Sequence, residues 1–121
     1  MKKREDVCDV VFNDLEGGVR GLFSSESIIS CFNSDSMPRY REIISNANIK
    51  AIFEDADMLS TIDQFFKNSL NISQTSKKAY MHRNTLIYRI EKVRKLTGLN
   101  LKNFDDAVIF ENLKTIKKIL D

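Results

Sequence analysis

The short run His82-Arg83-Asn84-Thr85 holds the side chains with the clearest chemical use in this sequence. An arginine can donate a pair of hydrogen bonds to O6 and N7 of guanine, and an asparagine can pair with N6 and N7 of adenine. A threonine hydroxyl and the amide groups at a helix N-terminus can hold a phosphate. The run therefore predicts contacts with double-stranded DNA, in which Arg83 and Asn84 read bases and Thr85 binds the backbone.

Residues on both sides of this run carry groups suited to the same partner. Tyr88 can contact a thymine methyl or a phosphate, and we place it with the base-reading residues. Arg89 lies at the flank of the apolar face, where it either clamps a phosphate or pairs within the protein. The remaining predicted phosphate contacts are His82, Lys77, Lys78, Lys92 and Lys95.

Charge is distributed unevenly along the chain. The formal net charge is only +2, but residues 67–102 contain nine lysines and arginines against the single acid Glu91. This segment therefore carries +8, and the rest of the chain carries −6. A basic segment between acidic flanks is typical of a surface that binds a polyanion. The alternative is a solvated helix face that happens to lack acids.

The sequence offers little for catalysis or metal binding. Cys8 and Cys31 lie far apart, and the absence of a Cys-x-x-Cys pair or a Cys/His cluster excludes a zinc finger. His82, the only histidine, has no nucleophile elbow nearby. Asp105 and Asp106 are adjacent, so on a helix they point in different directions. We therefore predict no enzyme, no metal site and no cofactor.

Neither a signal sequence nor a membrane span is indicated. Acidic residues interrupt the apolar stretch that follows the charged N-terminus, so this stretch is not a secretory signal. No apolar run approaches the roughly 20 residues that span a bilayer. We therefore expect a cytoplasmic protein without a membrane partner.

The spacing of apolar residues predicts an all-α fold, a helical bundle. One proline and four glycines are too few turn residues for a many-stranded β protein. Predicted helices cover about residues 4–16, 25–32, 48–54, 57–68, 71–79, 83–97 and 104–120, with another beginning at Pro38.

Residues 57–121 are predicted to form the DNA-binding domain, and the helical region 1–56 to form a dimerisation element. The apolar stripes of that region include Val7, Val10, Val11, Ile28, Ile29 and Phe32. Predicted N-caps are Asp57, His82 and Asn103, and Gly98 is the expected C-terminal glycine. Core candidates of the last helix are Phe104, Ala107, Val108, Phe110, Leu113, Ile116 and Leu120.

A basic helix that follows another helix after a short turn is typical of the helix-turn-helix motif. In this motif a small residue stands where the two helices cross, and apolar residues follow the turn and face inward from the second helix. Ser76, Met81, Leu86 and Ile90 meet these requirements in that order. Tyr80 occupies a turn position that is often glycine, so we expect a longer turn there.

Four runs of the sequence resemble the C-terminal DNA-binding domain of the PucR/CdaR family of bacterial transcription regulators. They are Asn71-Ile72-Ser73-Gln74-Thr75-Ser76, Met81-His82-Arg83-Asn84-Thr85-Leu86-Ile87-Tyr88-Arg89-Ile90, Leu96-Thr97-Gly98-Leu99-Asn100-Leu101 and Phe104-Asp105-Asp106-Ala107. The resemblance covers about residues 57–120 and implies a recognition helix over about 83–96 that enters the major groove. Ser76 departs from the family, which usually has alanine there.

Two functions are compatible with these features of the sequence. The first is a sequence-specific DNA-binding transcription regulator that acts as a homodimer, because one recognition helix seldom supplies enough specificity. The second is a short paralogue without a sensor that modulates a full-length regulator. Family members usually carry a long N-terminal sensory region, so this chain either lacks one or is a C-terminal piece. No small-molecule effector is assigned.

Overall fold

The structure, a computed structural model, describes residues 19–20, 23–25 and 37–120. These residues form helices joined by turns and contain no strand, as predicted. The helices, numbered here in chain order within 37–120, are α1 (Met37–Ile44), α2 (Ala47–Phe53), α3 (Ala56–Lys67), α4 (Ile72–Lys78), α5 (Arg83–Thr97) and α6 (Phe104–Leu120). No helix in the described ranges is long and apolar enough to cross a membrane.

Side-chain caps set where α2 and α3 begin. The Asn46 side chain accepts a hydrogen bond from the Asn48 amide (2.8 Å), and the Asp55 carboxylate accepts one from the Met58 amide (3.0 Å). The prediction of Asp57 as the cap of α3 was therefore wrong. Asp55 has an extended backbone (φ −97°, ψ 101°), as an N-cap residue does. Asp57 lies in the first helical turn, where its negative charge interacts favourably with the positive end of the helix dipole.

The turn between α4 and α5 is short, so the expectation of a longer one was wrong. Tyr80 instead adopts the left-handed conformation (φ 51°) that glycine usually supplies. The turn is closed by two bonds between the same residues: the Met81 amide donates to the Ser76 carbonyl (3.0 Å), and the Ser76 hydroxyl donates to the Met81 carbonyl (2.5 Å). Thr75, next to the predicted crossing residue, is the fully buried side chain of α4.

Helix α5 has the predicted inner face and the predicted end. Leu86, Ile90 and Val93 are buried along one stripe. The helix stops at Gly98, which is left-handed (φ 81°) and donates its amide to the Arg94 carbonyl. Because this stripe is buried, the opposite side of α5 is the side that faces solvent.

Helix α6 contributes to the core, but its first residue, Phe104, does not. Asn103 caps it as predicted, accepting a bond from the Asp106 amide (3.2 Å). The ring of Phe110 stacks on Phe53, with centroids 5.5 Å apart. Phe104, predicted to be in the core, is 71% exposed, because at about 100° per residue it lies on the side of α6 opposite the buried Leu113.

The described part of region 1–56 belongs to the same core as the predicted DNA-binding domain. One continuous apolar cluster runs through both, from Val19, Phe23 and Tyr40 to residues of α5 and α6. Long-range hydrogen bonds join the same parts: Asn48 donates to the Leu96 carbonyl (3.2 Å), and Asn112 donates to the Phe23 carbonyl (3.1 Å). The predicted helix 4–16 and nearly all of the predicted helix 25–32 lie outside the described residues.

The buried stripe of α5 makes Leu86 a sensitive probe of the fold. Replacing the fully buried Leu86 by alanine should lower the free energy of unfolding by about 2–5 kcal/mol, because a cavity replaces packed methyl groups. Urea or thermal unfolding measures the change. Tyr88→Ala, on the exposed side of the same helix, is the matched control and should change stability by under ~1 kcal/mol. Equal losses in the two variants would show that α5 is rotated differently.

The left-handed backbone at Tyr80 predicts an unusual order of stability. The Tyr80 side chain is 96% exposed, so its removal sacrifices little packing, whereas any Cβ at this φ is disfavoured. The free energy of unfolding, measured with urea, should therefore be about 1 kcal/mol higher for Tyr80→Gly than for Tyr80→Ala. An alanine variant as stable as the glycine variant would contradict the turn geometry.

Candidate nucleic-acid interface

The N-terminal end of α5 presents the predicted base-reading residues to solvent. Arg83 and Asn84 occupy the first two helical positions, and both are exposed. Tyr88, one turn further along, is 66% exposed. Because Leu86 and Ile90 are buried on the opposite side, the side chains able to read bases share an outer face at the end of the helix that enters a groove first.

His82 caps this helix through its own imidazole. Its Nδ1 accepts a hydrogen bond from the Asn84 amide at 3.1 Å. An accepting Nδ1 carries no proton, so the proton of the neutral ring is on Nε2, where it can be donated to a phosphate oxygen. His82 thus combines a confirmed structural role with the chemistry needed for its predicted phosphate contact.

Arg83 is held beside the first turn of α4. Its Nη1 donates to the Ser73 hydroxyl at 3.2 Å, a bond between exposed groups. A guanidinium has several further N–H donors, which remain able to form the paired bonds that guanine accepts. The contact also ties the start of α5 to α4.

The other predicted phosphate contacts differ in accessibility. Lys77 and Lys78 are exposed in the last turn of α4, and Lys95 is exposed near the end of α5. Thr85 and Lys92 are half-buried. Lys95 lies 12 residues after Arg83, which is about 18 Å along the helix axis. Lys95 can therefore share a DNA site with Arg83 only if α5 lies along the groove.

Arg89 has the intramolecular contact that was one of its two predicted roles. Its Nη1 donates to the hydroxyl of Thr61 on α3 at 2.6 Å, and this hydroxyl donates to the Asp57 carbonyl at 2.8 Å. Thr61 is fully buried. Arg89 therefore joins α5 to α3 in this structure, and its phosphate contact remains a prediction.

Two features of this surface were missed by sequence reasoning. Tyr80, considered only as a turn residue, projects almost wholly into solvent between the basic end of α4 and the start of α5. Arg94 donates through Nε to the Glu91 carboxylate at 2.7 Å, and this hydrogen bond lowers the pKa of Glu91. The one acid of the basic segment is thus paired three residues away, a spacing that the sequence displays.

The comparisons with known proteins agree with this geometry. Residues 58–111 match the PucR C-terminal helix-turn-helix domain family. The purine catabolism regulatory protein of Bacillus subtilis is 29% identical over 94 residues, 68% of this chain and 18% of that protein. The carbohydrate diacid regulator of Escherichia coli is 36% identical over 63 residues, 52% of this chain and 16% of that protein. No solved structure is significantly similar to the chain.

The matched segment contains the elements that carry the candidate interface. Residues 58–111 take in nearly all of α3, all of α4 and α5, and the first half of α6. The chain spans less than one fifth of the length of either regulator. Fold, exposed basic face and sequence match all concern this segment, and residues 58–111 are a PucR-type C-terminal helix-turn-helix domain.

Proposed function

We propose that the chain is a sequence-specific DNA-binding transcription regulator that acts on double-stranded DNA as a homodimer. The observation that carries this proposal is the exposure of Arg83 and Asn84 at the leading end of a recognition helix whose opposite face is buried. Arginine and asparagine at that end match the hydrogen-bonding edges of guanine and adenine.

Base reading and phosphate binding are assigned to different parts of the motif. Arg83, Asn84 and Tyr88 read bases from the outer face of α5. Lys77 and Lys78, exposed at the end of α4, hold the phosphate backbone together with His82 at the cap. Phosphate contacts fix the orientation on the duplex, and the few base contacts select the sequence.

A homodimer supplies the second recognition helix that a specific site requires. One module buries too little surface to discriminate strongly, so two copies bind two half-sites. We assigned dimerisation to residues 1–56, but the buried apolar residues of its described part, such as Tyr40, Ile43 and Ile49, pack within the chain's own core. A dimer through region 1–56 would therefore use its other surfaces.

The relatives support the regulatory role and leave the signal open. Two of them are named as regulators, one of purine catabolism and one of carbohydrate diacids. The chain spans less than one fifth of either relative, so the similarity supports a transcription regulator and carries over neither effector. We place this regulator in the cytoplasm with its DNA partner.

Binding to duplex DNA should depend strongly on salt. If about six phosphates are contacted, the logarithm of the association constant should fall with the logarithm of salt concentration at a slope near −5. Fluorescence anisotropy with a duplex selected from a random library measures this slope. A slope near zero, or no binding to any duplex at low salt, would refute the proposal.

Substitutions should separate base reading from phosphate binding. Arg83→Ala should cost about 1–3 kcal/mol on the selected duplex and flatten the preference at one base position. Lys78→Ala should weaken selected and scrambled duplexes alike and reduce the salt slope by about 1. Competition binding distinguishes the two patterns, and thermal melts confirm that both variants remain folded.

Two control variants sharpen that comparison. Ser73→Ala removes the partner of Arg83 within the protein and should leave base preference intact. Lys50→Ala removes an exposed lysine on α2, a helix that meets α5 near Leu96, far from Arg83. It should leave affinity unchanged. Full discrimination by folded Arg83→Ala would show that another residue reads that base.

A further inference from the structure

Two exposed apolar side chains lie outside the helix-turn-helix. The large exposed apolar residues of the described chain are Tyr80, Ile87, Tyr88, Phe104 and Ile119. The first three belong to the helix-turn-helix. The other two, 71% and 64% exposed, lie at opposite ends of α6.

Phe104 borders an apolar groove. The groove has a volume of about 570 Å³ and lies between the first half of α6, the end of α3 and the turn after it. Its lining includes Phe66, Leu70, Ala107 and Val108. It is large enough to receive an aliphatic side chain from another molecule, and Ile119 is such a side chain.

The groove and Ile119 share one face of α6. At about 100° per residue, Phe104, Val108, Thr115 and Ile119 fall within a stripe about 60° wide. The groove lies on the N-terminal half of this stripe and Ile119 lies at its C-terminal end. If two copies pair their α6 helices antiparallel, each Ile119 comes over the groove of the other copy, as two-fold symmetry requires.

Charge on α6 favours the same orientation. The exposed acids Asp105 and Glu111 lie in the first two-thirds of the helix, and Lys114 and Lys118 follow them. Antiparallel pairing sets the acidic end of one copy against the basic end of the other, whereas parallel pairing would bring like charges together. Glu111 and Lys114 form a loose ion pair (3.8 Å) along one side of this face.

We propose that the exposed face of α6 is a homodimer interface, in which a second copy of this chain packs antiparallel and inserts Ile119 into the groove beside Phe104. This deepens the proposed function, because the contact supplies the second recognition helix. A helix of 17 residues is about 25 Å long. The patch is therefore at the small end of stable interfaces, and dimerisation depends on protein concentration.

Sedimentation of the full chain without DNA tests the apolar part of the interface. Ile119→Ser and Phe104→Ser should each raise the dimer dissociation constant at least about tenfold, since each removes one member of the proposed contact between Ile119 and the groove. Both residues are exposed, so thermal melts should stay unchanged. Tyr88→Ser, an exposed aromatic residue on α5, is the control and should leave the dimer intact.

Charge exchange tests the antiparallel orientation. One variant carries Asp105→Lys and Glu111→Lys, which makes this face wholly basic, and another carries Lys114→Glu and Lys118→Glu, which makes it wholly acidic. Each alone should be monomeric at concentrations where the unmodified chain is dimeric. Their mixture should form a heterodimer, provided that melts show both variants folded.

The outcomes separate this interface from DNA binding. Unchanged dimers in the serine variants, no recovery in the mixture, or a chain that remains monomeric would each overturn the α6 interface. None of these results bears on a single DNA half-site, which one copy can bind. A dimer that falls apart only when residues 1–18 are removed would likewise overturn the proposal and support dimerisation through region 1–56.

Discussion

The burial of one stripe of α5 is the constraint on which the candidate interface depends. Leu86, Ile90 and Val93 enter a core to which α1, α2, α3 and α6 all contribute, so the helix cannot rotate without exposing them. The burial of this stripe places Arg83 and Asn84 on the exposed side of α5. The position of the polar face of α5 thus follows from the packing of its apolar face. Core residues as remote as Tyr40 contribute to that packing and so help to orient Arg83 and Asn84.

Side chains at helix starts do the finer positioning. Asn71 caps α4 by accepting from the Gln74 amide (2.8 Å), and His82 caps α5 in the same manner. Between these two caps, Tyr80 forms the turn in a left-handed backbone conformation, which is unfavourable for a residue with a Cβ. Local capping fixes where each helix begins, and the hydroxyl of Thr61 then fixes α5 against α3 through Arg89.

Elements whose local signals agree with one another can be predicted from the sequence. The stripe of α5, its His82 cap and its terminal Gly98 all lie within one short segment, and the structure confirms them. Asp55 and Asp57 are equally good candidates for the N-cap by residue type, and only the structure shows that Asp55 is the cap. Phe104 was wrongly counted with the core, because at about 100° per residue it lies opposite the buried stripe of α6. The Thr61–Arg89 bond links residues 28 positions apart, and no periodicity indicates such a pairing.

The ion pair between Arg20 and Asp106 limits how the domain can be cut from its chain. The Arg20 guanidinium bonds both oxygens of the nearly buried Asp106 carboxylate and also donates to the Gly98 carbonyl at 2.7 Å. Asp106 lies inside the family segment and Arg20 lies well outside it. A fragment reduced to that segment would keep the acid and lose its cation, and a buried carboxylate left without its partner is strongly destabilising. In this chain the apolar core and its ion pair extend beyond the family segment.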